Sequence, residues 1–393
     1  MLWRPASGLI TLLIGFTACT TPSSVGPLTK VGPTTTQENQ REIQPKIAEL
    51  EKPSLPKNII FMIGDGMGIS QITAGLFSNN NYLELEQFPV IGLHKPYSSD
   101  NLITDSAAGA TAFSAGVKTY NGAIGVDQDT LPVTTILELA EEAGMATGLI
   151  ATSSIVHATP ASFIAHNSYR KNYENIAADF LNTEVDLLIG GGLKYFQRRD
   201  QDERNLVDEL KANGYTVNNY VQKLLHEISW PQTGNFAYFT ADSEPIPQAQ
   251  GRDYLIPAVT KAPPFLEKRS QNEGFFLMIE GSQIDWGGHA NDHDYIVTEM
   301  LEFDKAIGLV LDYAKQNGET LVIVTADHET GGYAINYGST RDSLVPAFTS
   351  DYHTADLIPV FAYGPGASEF AGIYENTAIF DKMTNLLGLK EDQ

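Results

Sequence analysis

Val324-Thr325-Ala326-Asp327-His328-Glu329-Thr330-Gly331-Gly332 closes an apolar run that begins at Leu321. A continuous apolar run reads as a strand covered on both faces. Its carboxyl end then presents an adjacent carboxylate and imidazole, Asp327 and His328. Open α/β sheets bind ligands at that edge. Asp with His is also a donor pair that suits zinc. Alone, such a pair is more often a satisfied part of a loop, but two further strands repeat the pattern.

Asn58-Ile59-Ile60-Phe61-Met62-Ile63 runs into Gly64-Asp65-Gly66-Met67-Gly68. Gly274-Phe275-Phe276-Leu277-Met278-Ile279 runs into Glu280-Gly281, with Asp285 and His289 close behind. The glycines let the backbone bend sharply and approach a bound group. If the strands lie side by side, one edge collects Asp65, Glu280, Asp285, His289, Asp327 and His328. So many oxygen and nitrogen donors at one edge predict several divalent ions.

The composition fits an enzyme-sized domain. The chain has 393 residues, 42% of them hydrophobic, enough for a sizeable core. The formal net charge of −23 argues against nucleic acid and against anionic membrane surfaces as partners. An anionic substrate would be repelled at long range, so a local positive site, such as bound cations, is required for one.

The first residues read as an export signal, with Arg4 ahead of a short apolar core from Leu9 to Phe16. That core is too short to span a bilayer. Phe16-Thr17-Ala18-Cys19 resembles a bacterial lipoprotein processing site, which predicts export over 1–19 and a lipid anchor at Cys19 in a bacterial envelope or periplasm. Cys19 is the only cysteine, so no intramolecular disulfide forms. Residues 20–56 are rich in Thr, Pro, Ser, Gln and Glu and read as a flexible tether.

A catalytic domain is expected over 57–393. Its pattern alternates between strand and helix. Thr135 to Ala143 is helical, Ala146 to Ile150 a strand, Val185 to Ile189 a strand, and Asn205 to Ala212 a helix. Asp294 to Gln316 is a long amphipathic helix with Val297, Met300, Leu301, Ile307, Val310, Leu311 and Ala314 on one face. Leu357 to Tyr363 is a late strand and Thr377 to Leu387 a final helix. This alternation predicts an α/β three-layer sandwich with a central, mostly parallel sheet. Residues 236–264, with their prolines, read as an insertion lying across the surface.

Thr104-Asp105-Ser106-Ala107-Ala108-Gly109-Ala110 suits the first turn of a helix. The bland reading is a simple cap. The small residues that follow, however, would let this helix pack close to the sheet edge and aim its N–H groups at an anion. Ser106 becomes a nucleophile only if something displaces its proton, and a bound cation can do that. The chain has no Gly-x-Ser-x-Gly elbow, which argues against a serine esterase. His157-Ala158-Thr159-Pro160 follows a strand, and Arg170 lies beyond it. A guanidinium can grip two phosphoryl oxygens.

Together and in this order, these elements, with Tyr352-His353-Thr354 near the end, resemble the alkaline phosphatase family. The resemblance runs from about Lys57 to the C-terminus. It implies a metal-dependent phosphomonoesterase that works through a phosphoserine intermediate and releases inorganic phosphate. It implies two zinc ions, one on Asp285, His289 and His353, the other on Asp65, Asp327 and His328. It implies one magnesium on Asp65, Thr159 and Glu280. Ser106 would be the nucleophile and Arg170 the phosphoryl grip, with Asp105 orienting the arginine. His157 stands where the enterobacterial pattern has Asp, and Trp286 where it has Lys, so both belong to the outer shell of the site. A homodimer is also implied, and small phosphomonoesters are the implied substrates.

Two other hydrolases of the same superfamily compete. A sulfatase needs Cys or Ser in a Cys/Ser-x-Pro-x-Arg motif, and Ser106 is followed by Ala-Ala-Gly-Ala. A phosphodiesterase usually carries Thr as nucleophile. A non-catalytic phosphate-binding lipoprotein would keep the fold without needing Ser106. A dinucleotide fold fails because Ile69 stands where the third fingerprint glycine belongs.

Overall fold

The apolar runs fold as strands of one ten-stranded sheet. In chain order they are β1 (Asn58–Gly64), β2 (Val90–Lys95), β3 (Ala146–Ser154), β4 (Leu187–Gly191), β5 (Thr216–Asn219), β6 (Phe236–Phe239), β7 (Phe275–Gly281), β8 (Thr320–Thr325), β9 (Ile358–Tyr363) and β10 (Gly372–Glu375). The computed structural model describes residues 55–389 apart from 342. The expected export signal over 1–19, Cys19 and nearly all of the expected tether over 20–56 lie outside the described residues.

The sheet order is β10-β2-β9-β8-β1-β7-β3-β4-β6-β5. All pairings are parallel except those of β9, which runs antiparallel to both β2 and β8. The expected sheet, mostly parallel, is therefore present. The three strands with acids at their ends, β8, β1 and β7, are neighbours at its centre. Their register is level: Ile63 lies opposite Glu280 on one side and Thr325 on the other. Level strand ends put Asp65, Glu280 and Asp327 on one edge.

Alternation along β1 divides the core in two. Ile59, Phe61 and Ile63 face a layer that includes Phe113, Ile136, Ile176 and Ile379. Ile60 and Met62 face the opposite layer, which includes Ala74, Leu266, Met300 and Val310. The long helix is His293–Asn317, close to its expected span. Its buried side also carries Glu299 and Glu302, which polarity alone would place in water. Both pair with the buried Arg252. A buried acid persists only when paired in this way.

Residues 236–264 are not a surface insertion. Phe236–Phe239 is a buried sheet strand between β4 and β5. Leu255–Arg269 is a helix whose Leu255, Ala258, Val259 and Ala262 pack under the sheet. Its Pro263 and Pro264 read as breakers in the sequence, because proline removes an N–H and crowds the preceding turn. The structure carries them inside the helix.

Candidate metal centre

The first donor group forms where β1 and β8 end. Asp65, Asp327 and His328 place ligand atoms within 4.8 Å of one another. All three are 0% exposed. His328 Nε2 lies 3.3 Å from Asp327 Oδ2 and 3.6 Å from Asp65 Oδ1. The bend after Asp65 needs glycine. Gly66 has φ +72°, and a Cβ there would sit 2.7 Å from Asp285 Cα. Its N–H instead donates to Asp327 Oδ1 at 3.2 Å, tying the two strand ends together.

The second group is Asp285, His289 and His353, again within 4.8 Å. Asp285 and His289 are one turn apart on the helix Gln283–His289, so both point from one face. His353 comes from a two-stranded pairing with Thr330. Each imidazole is aimed by its second nitrogen. His353 Nδ1 is 2.8 Å from the Thr104 carbonyl, and His289 Nδ1 is 2.7 Å from the Asp351 carbonyl. A ring donating through Nδ1 keeps Nε2 available as a ligand.

The third group is Asp65, His157 and Glu280. His157 therefore lies within ligand reach, nearer than the outer-shell position expected for it. Thr159, expected beside Glu280, is fully buried. Trp286 meets His157 edge-on, ring centroids 6.1 Å apart.

Ser106 opens the buried helix Ser106–Ala115 as expected, with Asp105 as its cap. Its Oγ is 3.4 Å from His328 Nε2. The small residues permit this approach: a Cβ on Gly109 would lie 3.0 Å from Asp327 Cβ. Arg170 donates to Asp105 Oδ2 at 2.9 Å. Every predicted site residue thus gathers around one sheet edge.

The electrostatics are those of a site built for cations. Asp65 is pushed well above the ordinary carboxylate range by burial and by Asp327, Asp285 and Glu280. Burial raises Glu280 to about 8, and burial with Asp285 raises Asp327 to about 7. His328 is pushed well down by burial and by His353 and His289, so its ring is neutral. Both oxygens of Asp65, one each of Glu280 and Asp327, Thr159 Oγ1 and His157 Nδ1 are buried without a hydrogen-bond partner. Native structures rarely leave such atoms unpaired. Divalent cations would satisfy them together, and the mixed imidazole–carboxylate sets suit zinc while the oxygen-rich set suits magnesium.

One further residue was present in the opening motif but given no role. Glu329 is 3% exposed and accepts from Gln71 Nε2 at 2.8 Å, Tyr333 N at 3.0 Å, Gly332 N at 3.1 Å and Thr354 Oγ1 at 2.6 Å. It fixes the turn after His328 to the segment that carries His353. A lone acid following Asp-His gives no sequence signal for this.

The sequence pattern of the alkaline phosphatase family matches residues 56–346. Alkaline phosphatase 3 of Bacillus subtilis is 42% identical over 321 residues, spanning 78% of this chain and 67% of that one. Alkaline phosphatase of Escherichia coli is 33% identical over 416 residues, spanning 86% and 87%. The structure of alkaline phosphatase from the Antarctic bacterium TAB5 superposes with a TM-score of 0.81 at 45% identity, covering 86% of this chain and all of that one. A His-to-Asp mutant of that enzyme was solved with Mg bound in its M3 site.

Proposed function

Since this chain belongs to the alkaline phosphatase family and is a phosphomonoesterase, we propose that Ser106 is its nucleophile and Arg170 its grip on the phosphoryl group. The observation that carries this reading is the Ser106 hydroxyl, 3.4 Å from His328 amid unpaired carboxylates. Asp285, His289 and His353 would hold one zinc, and Asp65, Asp327 and His328 a second. Asp65, Glu280 and Thr159 would hold magnesium, with His157 beside it. Bound divalent ions supply Lewis acidity, lowering the hydroxyl pKa and neutralising charge on the leaving oxygen.

The chain's own residues do the rest. Arg170 takes two phosphoryl oxygens in its fork, and Asp105 keeps that fork from swinging into solvent. The N–H groups opening the helix Ser106–Ala115 face the same anion. Ser106 Oγ, its proton released to solvent, attacks phosphorus in line, the ester P–O bond breaks on the far side, and the departing alkoxide takes a proton from water. Water then cleaves the phosphoserine from the vacated side, releasing phosphate and restoring Ser106. His328, kept neutral, offers its Nε2 lone pair to a cation rather than to a proton.

Replacing Ser106 with Ala tests the route. Turnover of a chromogenic phosphomonoester is expected to fall at least about 10³-fold, and rapid acid quenching should trap phosphoserine only in the native enzyme. An unchanged rate rejects the serine mechanism. Elemental analysis, with chelator inactivation and zinc rescue, tests the ion assignment. For the region outside the described residues, export over 1–19 and lipidation at Cys19 are part of the same proposal. Cys19→Ala should then release the enzyme from envelope membranes. A homodimer is proposed as well, to be read by analytical ultracentrifugation.

A further inference from the structure

Three rings form a column leading out of the site. His328 stacks on His353 with centroids 3.5 Å apart and planes 15° apart. Tyr352 stacks on His353 in turn, at 4.3 Å and 9°. Ser106 lies at the inner end of this column, beside His328. Tyr352 lies at the outer end, and 47% of its surface is exposed. Its ring is also 5.9 Å from that of His289.

The Tyr352 ring rests on His353, and the backbone that carries it is anchored at both ends. Its N–H donates to Ser350 Oγ at 2.9 Å, and its carbonyl accepts from Gly331 N at 2.9 Å. A ring already fixed loses little freedom when something packs on it.

In-line displacement fixes where the alcohol goes. In the reading proposed above, Ser106 attacks from beside His328, and the leaving oxygen would depart toward the other donor group, Asp285, His289 and His353. The next group outward from His353 is Tyr352. Resting on the phosphomonoesterase reading above, we propose that Tyr352 is a platform for the alcohol portion of the ester, favouring monoesters of planar aromatic alcohols over those of small aliphatic ones. An aromatic leaving group can stack on the ring, whereas a glycerol-like one gains little from it.

The test compares phenyl phosphate with glycerol phosphate on the metal-loaded enzyme. Tyr352→Ala should lower kcat/KM for phenyl phosphate about five-fold more than for glycerol phosphate, mainly through KM. Comparing the change in ratio removes the intrinsic difference between the two leaving groups. Tyr352→Phe should restore the native ratio, and Tyr352→Leu should behave like the Ala variant while keeping the bulk against His353. Inhibition by inorganic phosphate, which has no alcohol portion, should not follow the same ranking. Equal losses on both esters overturn the proposal, as does a phosphate inhibition constant that rises in step, because the ring then acts through His353. Native turnover with an unchanged ratio in Tyr352→Ala overturns it while leaving the parent reading intact. A native enzyme that hydrolyses neither ester overturns both.

Discussion

The Asp105 carboxylate serves three donors at once. Its Oδ2 accepts from Arg170 Nη1 at 2.9 Å, while its Oδ1 accepts from Ala108 N at 3.0 Å and Gly122 N at 3.1 Å. The residue that starts the nucleophile's helix is therefore also the one that sets the guanidinium.

These two duties separate on mutation. Asp105→Ala loses both and should destabilise the fold by about 1 kcal/mol through the missing cap. Asp105→Asn keeps a good cap but lacks the charge, so its thermal midpoint should stay near the native value. Both variants should raise KM for a phosphomonoester roughly ten-fold by letting Arg170 drift. Thermal unfolding and steady-state kinetics on the pair check this, and an unchanged KM in both would reduce Asp105 to a cap.

Glu329 gathers four donors from three segments. Glu329→Ala would strand them, and two of them, Gln71 Nε2 and Tyr333 N, are buried away from water. A loss of roughly 3 kcal/mol is expected in denaturant unfolding. Because Thr354 adjoins His353, zinc affinity should fall as well. Gln in place of Glu should recover part of both losses.

Removal of the metals should make stability depend on pH in a defined direction. In the metal-free chain the folded pKa values of Glu280 and Asp327 are raised, to about 8 and about 7, chiefly by burial. Groups raised in the folded state favour folding when protonated. Their contribution is complete below the unfolded carboxylate range and is lost as pH rises from about 4 to 8. The chelated protein should therefore melt at progressively lower temperature across that window. The metal-loaded protein should not, so the gap between the two should widen toward alkaline pH. Calorimetry of both forms at several pH values measures it, and a gap constant with pH would count against the carboxylates as ligands.

Trp286 is half-buried beside Asp285, with its ring edge-on to His157. Trp286→Lys would add a cation where the sequence lacks one. The inhibition constant for inorganic phosphate should fall by up to roughly five-fold, the scale of a partly exposed ion pair. An unchanged constant would mean that the indole only fills space.

The parts of this fold that could be read in the sequence are those where one physical demand dominates. β1, β7 and β8 are covered on both faces, so they appear as unbroken apolar runs, and their acids follow directly. The capped helices also declared themselves: Thr135 forms a capping box with Glu138, and Asp105 caps Ser106–Ala115. Edge strands did not. Thr216–Asn219 and Gly372–Glu375 are partly exposed, so neither needs an apolar run. Ile69–Ser78 begins after Gly68 with no side-chain cap and no acid in its first turn, which removes the usual start signal. The direction of β9 was also hidden, because a short apolar strand looks the same whichever way it runs. Among site residues, the donors were legible because their chemistry is distinctive. Glu329 and Tyr352 were not, because their importance lies in what they touch.

The central strands that bear the donors come from 58–64, 275–281 and 320–325, and the last imidazole arrives only with His353. A chain stopped anywhere before residue 353 would lack part of its reaction centre however well its earlier segments had formed. Pairings this distant in sequence also close slowly. Catalysis would thus report completion: with the proposed site, a half-made or half-folded copy is chemically silent, and phosphate release can begin only once the strand 58–64 and His353 have been brought together.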